Sequence, residues 1–187
     1  LHAPRKFATE AEAAAPGAAH AYDGTTAEEI GRLFAGQAAV VAIFSLGALV
    51  RMLAPHLESK TSDPAVVALD EGGRFVIPVL SGHLGGANAL AGRLAGALGA
   101  QAVLTTASDS RGTIGVDLLG RELGWTLEAS HDELVRASAA VVNDEPVALV
   151  QEAGRGDWWR NHANGRGGPL PANVTLFNRI EDVDPDR

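Results

Sequence analysis

The chain has 187 residues, 46% apolar and 20% charged, a composition that builds a buried core and not a disordered polymer. It has no cysteine, which excludes disulfides, thiolate metal sites and cysteine nucleophiles, and no apolar run of about 18 residues that would span a membrane. The net charge of -8 argues against nonspecific binding to nucleic acid or an anionic membrane, and the opening LHAPRKFATEAEAAAPG reads as neither secretory signal nor anchor, so a cytoplasmic protein is expected.

Residues 1–26 are rich in alanine and turn formers and show no clear period. The chain opens on Leu1 and not on methionine, which fits a start inside a larger protein. Thr26–Phe34 reads as a short helix capped by Thr26, with Glu28 and Glu29 in its first turn. Ala39–Phe44 is a continuous apolar run, as expected of a strand buried on both faces. A helix follows over Ser45–Ala54, with Leu46, Leu49, Val50 and Leu53 on one side, and Pro55 ends it. Pro64–Leu69 and Arg74–Leu80 flank Asp70-Glu71-Gly72-Gly73 and predict a hairpin.

The second strand of that hairpin breaks into Ser81-Gly82-His83-Leu84-Gly85-Gly86 and resumes as a helix to Leu98. Leu90, Leu94 and Leu98, with Ala87 and Ala91, give that helix one apolar stripe, and Gly92 and Gly96 suggest close packing on the sheet. A short strand is expected at Ala102–Thr105, then a loop to Gly112 and a helix over Ile114–Leu123. Beyond Gly124 the pattern predicts a strand at Trp125–Leu127, a helix at Asp132–Ala139 capped by Ser130, and strands at Pro146–Val150 and Val174–Phe177. Residues 153–173 are rich in Gly, Asn and Arg around Trp158-Trp159 and read as a long loop. The alternation implies an α/β protein with a mostly parallel open sheet in Rossmann-like layers and one hairpin over residues 1–124. Residues 125–187 form a smaller α/β subdomain.

Two loops follow strands and carry polar groups, the position where open α/β sheets bind ligands. In Ser81–Gly86 the glycines let a ligand touch the backbone, and the start of the next helix attracts anions. The spacing is neither GxGxxG nor a Walker A loop. His83 can exchange a proton near neutral pH, or it can stiffen the loop by bonding a carbonyl. Ser81 lacks a GxSxG context and reads as a cap or loop hydrogen bond before a nucleophile. In the second loop Thr105, Thr106 and Ser108 offer hydroxyls to a carboxylate or carbonyl, and Asp109 can orient His83, act as acid or base, or cap the next helix. Arg51, His56, Lys60 and Asp63 form a third group, in which Arg51 and Lys60 can grip carboxylates or stand as solvated charges. Residues 45–115 hold five Lys or Arg and five Asp or Glu, so an anionic ligand meets the least repulsion there. The six histidines make no HxH, HxxxH or HExxH pair, so no protein metal site is expected.

Taken together, GALVRMLAP and ESKTSDPAVVALDEGGRFVIPVLSGHLGGANALAGRLAGALGAQAVLTTASD resemble the amino-terminal domain of the CbiG family of cobalamin biosynthesis proteins. The likeness is dense from Ala39 to Asp117 and rests on the SGHxGGAN block followed by TTASD; after about residue 125 it is a loose likeness to the family's central region. The family begins with a strand and helix ahead of the segment equivalent to Leu1, and carries a carboxyl-terminal domain related to CobE. Some members are fused to a precorrin methyltransferase.

The resemblance implies hydrolytic opening of the ring A δ-lactone of cobalt-precorrin-5A, with loss of acetaldehyde to give cobalt-precorrin-5B. It implies no cofactor beyond the cobalt in the substrate, and no nucleic-acid or membrane partner. On this reading His83 and Asp109 are catalytic, and the Gly85 and Gly86 N–H groups hold the oxyanion. Arg51, Lys60, Ser81, Gly82, Gly85, Gly86, Asn88, Thr105 and Thr106 bind substrate. Two other expectations stay open: a non-catalytic corrinoid-binding or partner-docking module, and a generic phosphate- or nucleotide-binding domain.

Overall fold

The computed structural model describes residues 1–107, 113–120, 123–154 and 170–184. The first elements come where the sequence showed no period. β1 (His2–Pro4) pairs in parallel with β2 (His20–Tyr22), and a 3-10 turn at Arg5–Phe7 and helix α1 (Ala8–Ala14) connect them. Three-residue strands are too short for a period-two pattern to register, so they escape a reading by alternation. Helix α2 (Thr26–Gly36) starts at the expected residue, but its cap is Thr25 and not Thr26: Thr25 accepts from the Glu28 N–H, while the Glu28 carboxylate accepts from the Thr25 N–H at 2.8 Å. Thr26 instead accepts a hydrogen bond from the Tyr22 hydroxyl.

The central sheet has the order β3 (Ala39–Ile43), β4 (Ala65–Leu69), β5 (Phe75–Leu80), β6 (Gln101–Ala102). β3 and β4 are parallel, β4 and β5 form the expected antiparallel hairpin, and β5 and β6 are parallel. Burial on both faces belongs to β4, where all five residues are buried, and not to β3. In β3 only Val40 and Ala42 are buried, while Val41 is 46% and Ile43 56% exposed, because α4 covers that face over β4 and β5 and not over β3; β3 also pairs on one side only among the described residues. Val41 and Ile43 line a cavity of about 760 Å³ that His2, Pro4 and Tyr22 also line.

Helices cover both faces of the sheet. On one, Ile30 and Phe34 of α2 and Leu49 and Leu53 of α3 (Leu46–Leu53) pack on Val40, Ala42, Val66 and Ala68. On the other, α4 (Ala87–Leu98) packs on Ala65, Val67, Leu69 and Val76. Its buried row is Ala87, Ala91 and Ala95, not the leucines; Leu90 and Leu94 flank it and Leu98 is exposed. Alanines at i, i+4 bring helix and sheet close together, and Gly92 and Gly96 take no part, since a Cβ at either would meet open space.

The second unit joins α5 (His131–Val142) to β7 (Val147–Val150) and β8 (Val174–Phe177), which are parallel. Ser130 caps α5 as expected, and Glu133 completes the cap by accepting from the Ser130 N–H. The amide of Asn173 donates to the carbonyls of Val141 and Glu145 and ties the strand entry to the helix end. The expected helix over 114–123 does not form among the described residues: only a 3-10 turn at Val116–Leu118 does, and Gly120 beyond it takes a left-handed φ of 73. Trp125 and Leu127 are exposed and irregular and make no strand. α5 packs on the Val116–Leu118 turn. Among the described residues no helix is long and apolar enough to cross a membrane.

Candidate functional site

Strand direction decides which loops meet. β5 runs against β4, so Leu80 at its carboxyl end pairs with Val66 near the amino end of β4. The loop 81–86 is therefore laid against the turn that leads into β4, and the Ser81 hydroxyl donates to the Asp63 carbonyl at 2.7 Å. β6 is parallel to β5 and leaves the sheet at the same end, where the Asn88 amide donates to the Thr106 hydroxyl at 3.4 Å. Residues 58–63, 81–88 and 103–107 thus converge.

The 81–86 loop is wound back on itself. Ser81 sits at a φ of 52, a left-handed conformation that costs a non-glycine residue about 1–2 kcal/mol. The Gly86, Ala87 and Asn88 N–H groups donate to the carbonyls of His83, Ser81 and Gly82 at 3.0, 3.2 and 2.9 Å. The start of α4 is consequently closed by the loop's own backbone, and Gly86 is not the open oxyanion donor expected from the sequence. The N–H groups of Leu84 and Gly85, both exposed residues, have no acceptor among the described residues.

The glycines also serve the loop itself. A Cβ on Gly85 would lie 2.4 Å from the Ser81 Cβ and 2.8 Å from its carbonyl oxygen, and one on Gly82 would lie 2.6 Å from the Asn88 Oδ1. At Gly82 and Gly85 the room first read as space for a ligand is taken by Asn88 and Ser81, while a Cβ on Gly86 would meet open space.

His83 lies inside this loop, and its Nδ1 is 3.3 Å from the Oδ1 of Asp117, with both side chains 16% exposed. Gly115 borders the imidazole, since a Cβ there would stand 3.6 Å from its Cε1. Burial pushes the Asp117 carboxyl up, but the hydrogen bond and charge of His83 and the charge of Lys60 outweigh it and hold the group below its ordinary value. Asp117 is therefore ionised at neutral pH. Lys60 belongs to the turn beside the loop, where the Asp63 carboxylate accepts from the N–H groups of Glu58 and Ser59.

Of the other expected residues, Thr106 joins Asn88, and Thr105 is exposed next to it. Arg51 folds back on its own helix and donates to the Gly47 carbonyl at 2.9 Å. His56 is exposed, and its ring lies tilted against Phe34 of α2. Asp109, Ser108, Trp158 and Trp159 lie outside the described residues. Asp117 is the residue that spacing did not suggest, because only the path of the chain after β6 brings it to His83.

A second cluster lies away from this loop. The register of β1 and β2 sets His2 opposite His20, and with Glu29 they put three ligand-type atoms within 4.8 Å. Motif spacing could not show this, because the histidines meet across two strands. The Glu29 carboxylate is engaged by Arg32 and by His2, each at 2.7 Å. It is held at about 2, the Arg32 hydrogen bond lowering it most, burial opposing and His2 helping.

Residues 28–109 match the family described as Cobalamin synthesis G N-terminal, and residues 114–164 match Cobalamin biosynthesis central region. A protein of Priestia megaterium named cobalt-precorrin-5A hydrolase is 47% identical over 149 residues, which is 80% of this chain and 38% of that protein. One of Salmonella typhimurium with the same name is 42% identical over 138 residues, 74% of this chain and 37% of the relative. The chain thus spans well under half the length of these relatives. It belongs to the CbiG family of cobalamin biosynthesis proteins, of which it carries the amino-terminal and central regions.

Proposed function

We propose that this chain carries the lactone-opening centre of a cobalt-precorrin-5A hydrolase of anaerobic-type cobalamin biosynthesis. The observation that carries the reading is an ionisable His83, paired with a carboxylate, in a glycine loop inside the region shared with relatives of that name. Water attacks the ring A lactone carbonyl as the His83 imidazole takes its proton. The Gly85 N–H, with that of Leu84, meets the oxygen on which negative charge develops. The ring C–O bond then breaks, and the proton returns from His83 to the departing alkoxide. The carboxyl group stays on ring A. The alcohol so formed then loses its O–H proton and breaks its carbon–carbon bond to the macrocycle, whose conjugated ring keeps the electron pair, and the two-carbon unit leaves as acetaldehyde.

Cobalt belongs to the substrate, and the protein supplies no cofactor. Lys60 and Arg51 face the peripheral carboxylates, Ser81, Gly82 and Asn88 shape the loop, and Thr105 and Thr106 offer hydroxyls. Asp109 is retained as a candidate acid or base. Residues 1–124 and 125–187 act as two units, with a CobE-like domain or a fused precorrin methyltransferase as further partner, in the cytoplasm.

The test is to incubate the purified chain with cobalt-precorrin-5A and assay acetaldehyde. The expected result is release that falls about 100- to 10,000-fold in His83→Ala. An unchanged rate in His83→Ala would remove His83 as base. Binding of the corrinoid without turnover would make the chain a binding module.

A further inference from the structure

We propose that Asp117 is the positioning residue for His83, so that the central region completes a site whose proton-accepting group lies in the amino-terminal region. The inference rests on the reading of His83 as base. His83 falls within the match at 28–109 and Asp117 within the match at 114–164, yet the two side chains meet at 3.3 Å and each is only 16% exposed. An ionised carboxylate beside Nδ1 selects the tautomer that carries its proton there, which leaves Nε2 as the basic nitrogen. It also stabilises the imidazolium formed when His83 takes the proton from water.

The support for Asp117 comes from the second unit. Asp117 is the middle residue of the Val116–Leu118 turn, in which Leu118 and Leu119 donate to the carbonyls of Gly115 and Val116 at 3.0 and 3.3 Å. α5 packs against that turn. The turn that carries Asp117 is therefore held by contacts made outside the amino-terminal region. Besides His83, the charged group that acts on Asp117 is Lys60, from the turn before β4. Its positive charge keeps Asp117 ionised and opposes protonation of His83. Asp117 lowers the cost of that protonation.

The test uses the whole chain with Asp117→Asn and Asp117→Glu. Imidazole nitrogen NMR on ¹⁵N-labelled protein reads the His83 tautomer and its titration, and acetaldehyde release from cobalt-precorrin-5A is followed against pH. In the parent chain the Nδ1–H form dominates. In Asp117→Asn that preference is lost, the His83 titration moves down by about one pH unit, and kcat falls on the order of 100-fold at nearly constant KM. Asp117→Glu restores the tautomer and part of the rate. An unchanged tautomer and titration in a folded Asp117→Asn overturns the inference, as does an Asp117→Glu variant that folds but behaves like Asn. A shifted tautomer in a parent chain that releases no acetaldehyde upholds the positioning of His83 and overturns the hydrolase reading instead.

Discussion

Three helices begin in this molecule in two different ways. α2 and α5 open with a hydroxyl cap and a glutamate three residues on, Thr25 with Glu28 and Ser130 with Glu133, so side chains satisfy the first N–H groups. α4 opens with glycines, and backbone carbonyls of Ser81, Gly82 and His83 do the same work. Side chains at the start of α2 and α5 are spent on the helix. At α4 the Ser81 hydroxyl reaches Asp63, the Asn88 amide reaches Thr106 and the His83 ring reaches Asp117. A backbone cap therefore lets one loop bind three other segments, and this is the end of the sheet where the candidate chemistry lies.

The largest effect that would break this contrast is expected at Gly85. Gly85→Ala drives a methyl into the Ser81 backbone and should cost about 2–3 kcal/mol in urea unfolding, whereas a near-neutral result would mean the loop is looser than the 2.4 Å approach implies. Next comes the buried carboxylate of α2. Glu29 is held at about 2 against an ordinary 4.5, so its contribution is present above about pH 4.5 and is lost as pH falls toward 2. Glu29→Gln should lower stability by about 1–2 kcal/mol at pH 6. The gap should close in acid, and a constant gap from pH 6 to 2 would contradict the ion pair. Thr25→Ala should cost about 1 kcal/mol by thermal or urea unfolding, with the loop 81–86 unaffected. The smallest change sharpens the comparison by sign. Gly92→Ala, where a Cβ meets open space, should stabilise α4 by about 0.5–1 kcal/mol, opposite to the loop glycine a few residues away.

Much of this architecture was legible in the chain. The hairpin showed itself by paired glycines between two apolar runs, and the helix after Ser130 by its cap and period. The misses share a cause. β3 and β4 are both short apolar runs, and only pairing partners make one an edge and the other a centre. Leucines and alanines both lie along α4, and the close approach to the sheet selects the alanines for the buried row. The 114–123 segment has helical residues, but the turn at Val116–Leu118 is held against α5 and ends at Gly120.

The sequence by itself determined the α/β class and the family and singled out a candidate loop, because apolar period, turn residues and the SGHxGGAN block are local properties of the chain. The tertiary structure alone decided what the glycines accommodate and which carboxylate faces His83. Both depend on groups far apart in sequence, brought together by an antiparallel β5 and by the packing of α5 on the Val116–Leu118 turn.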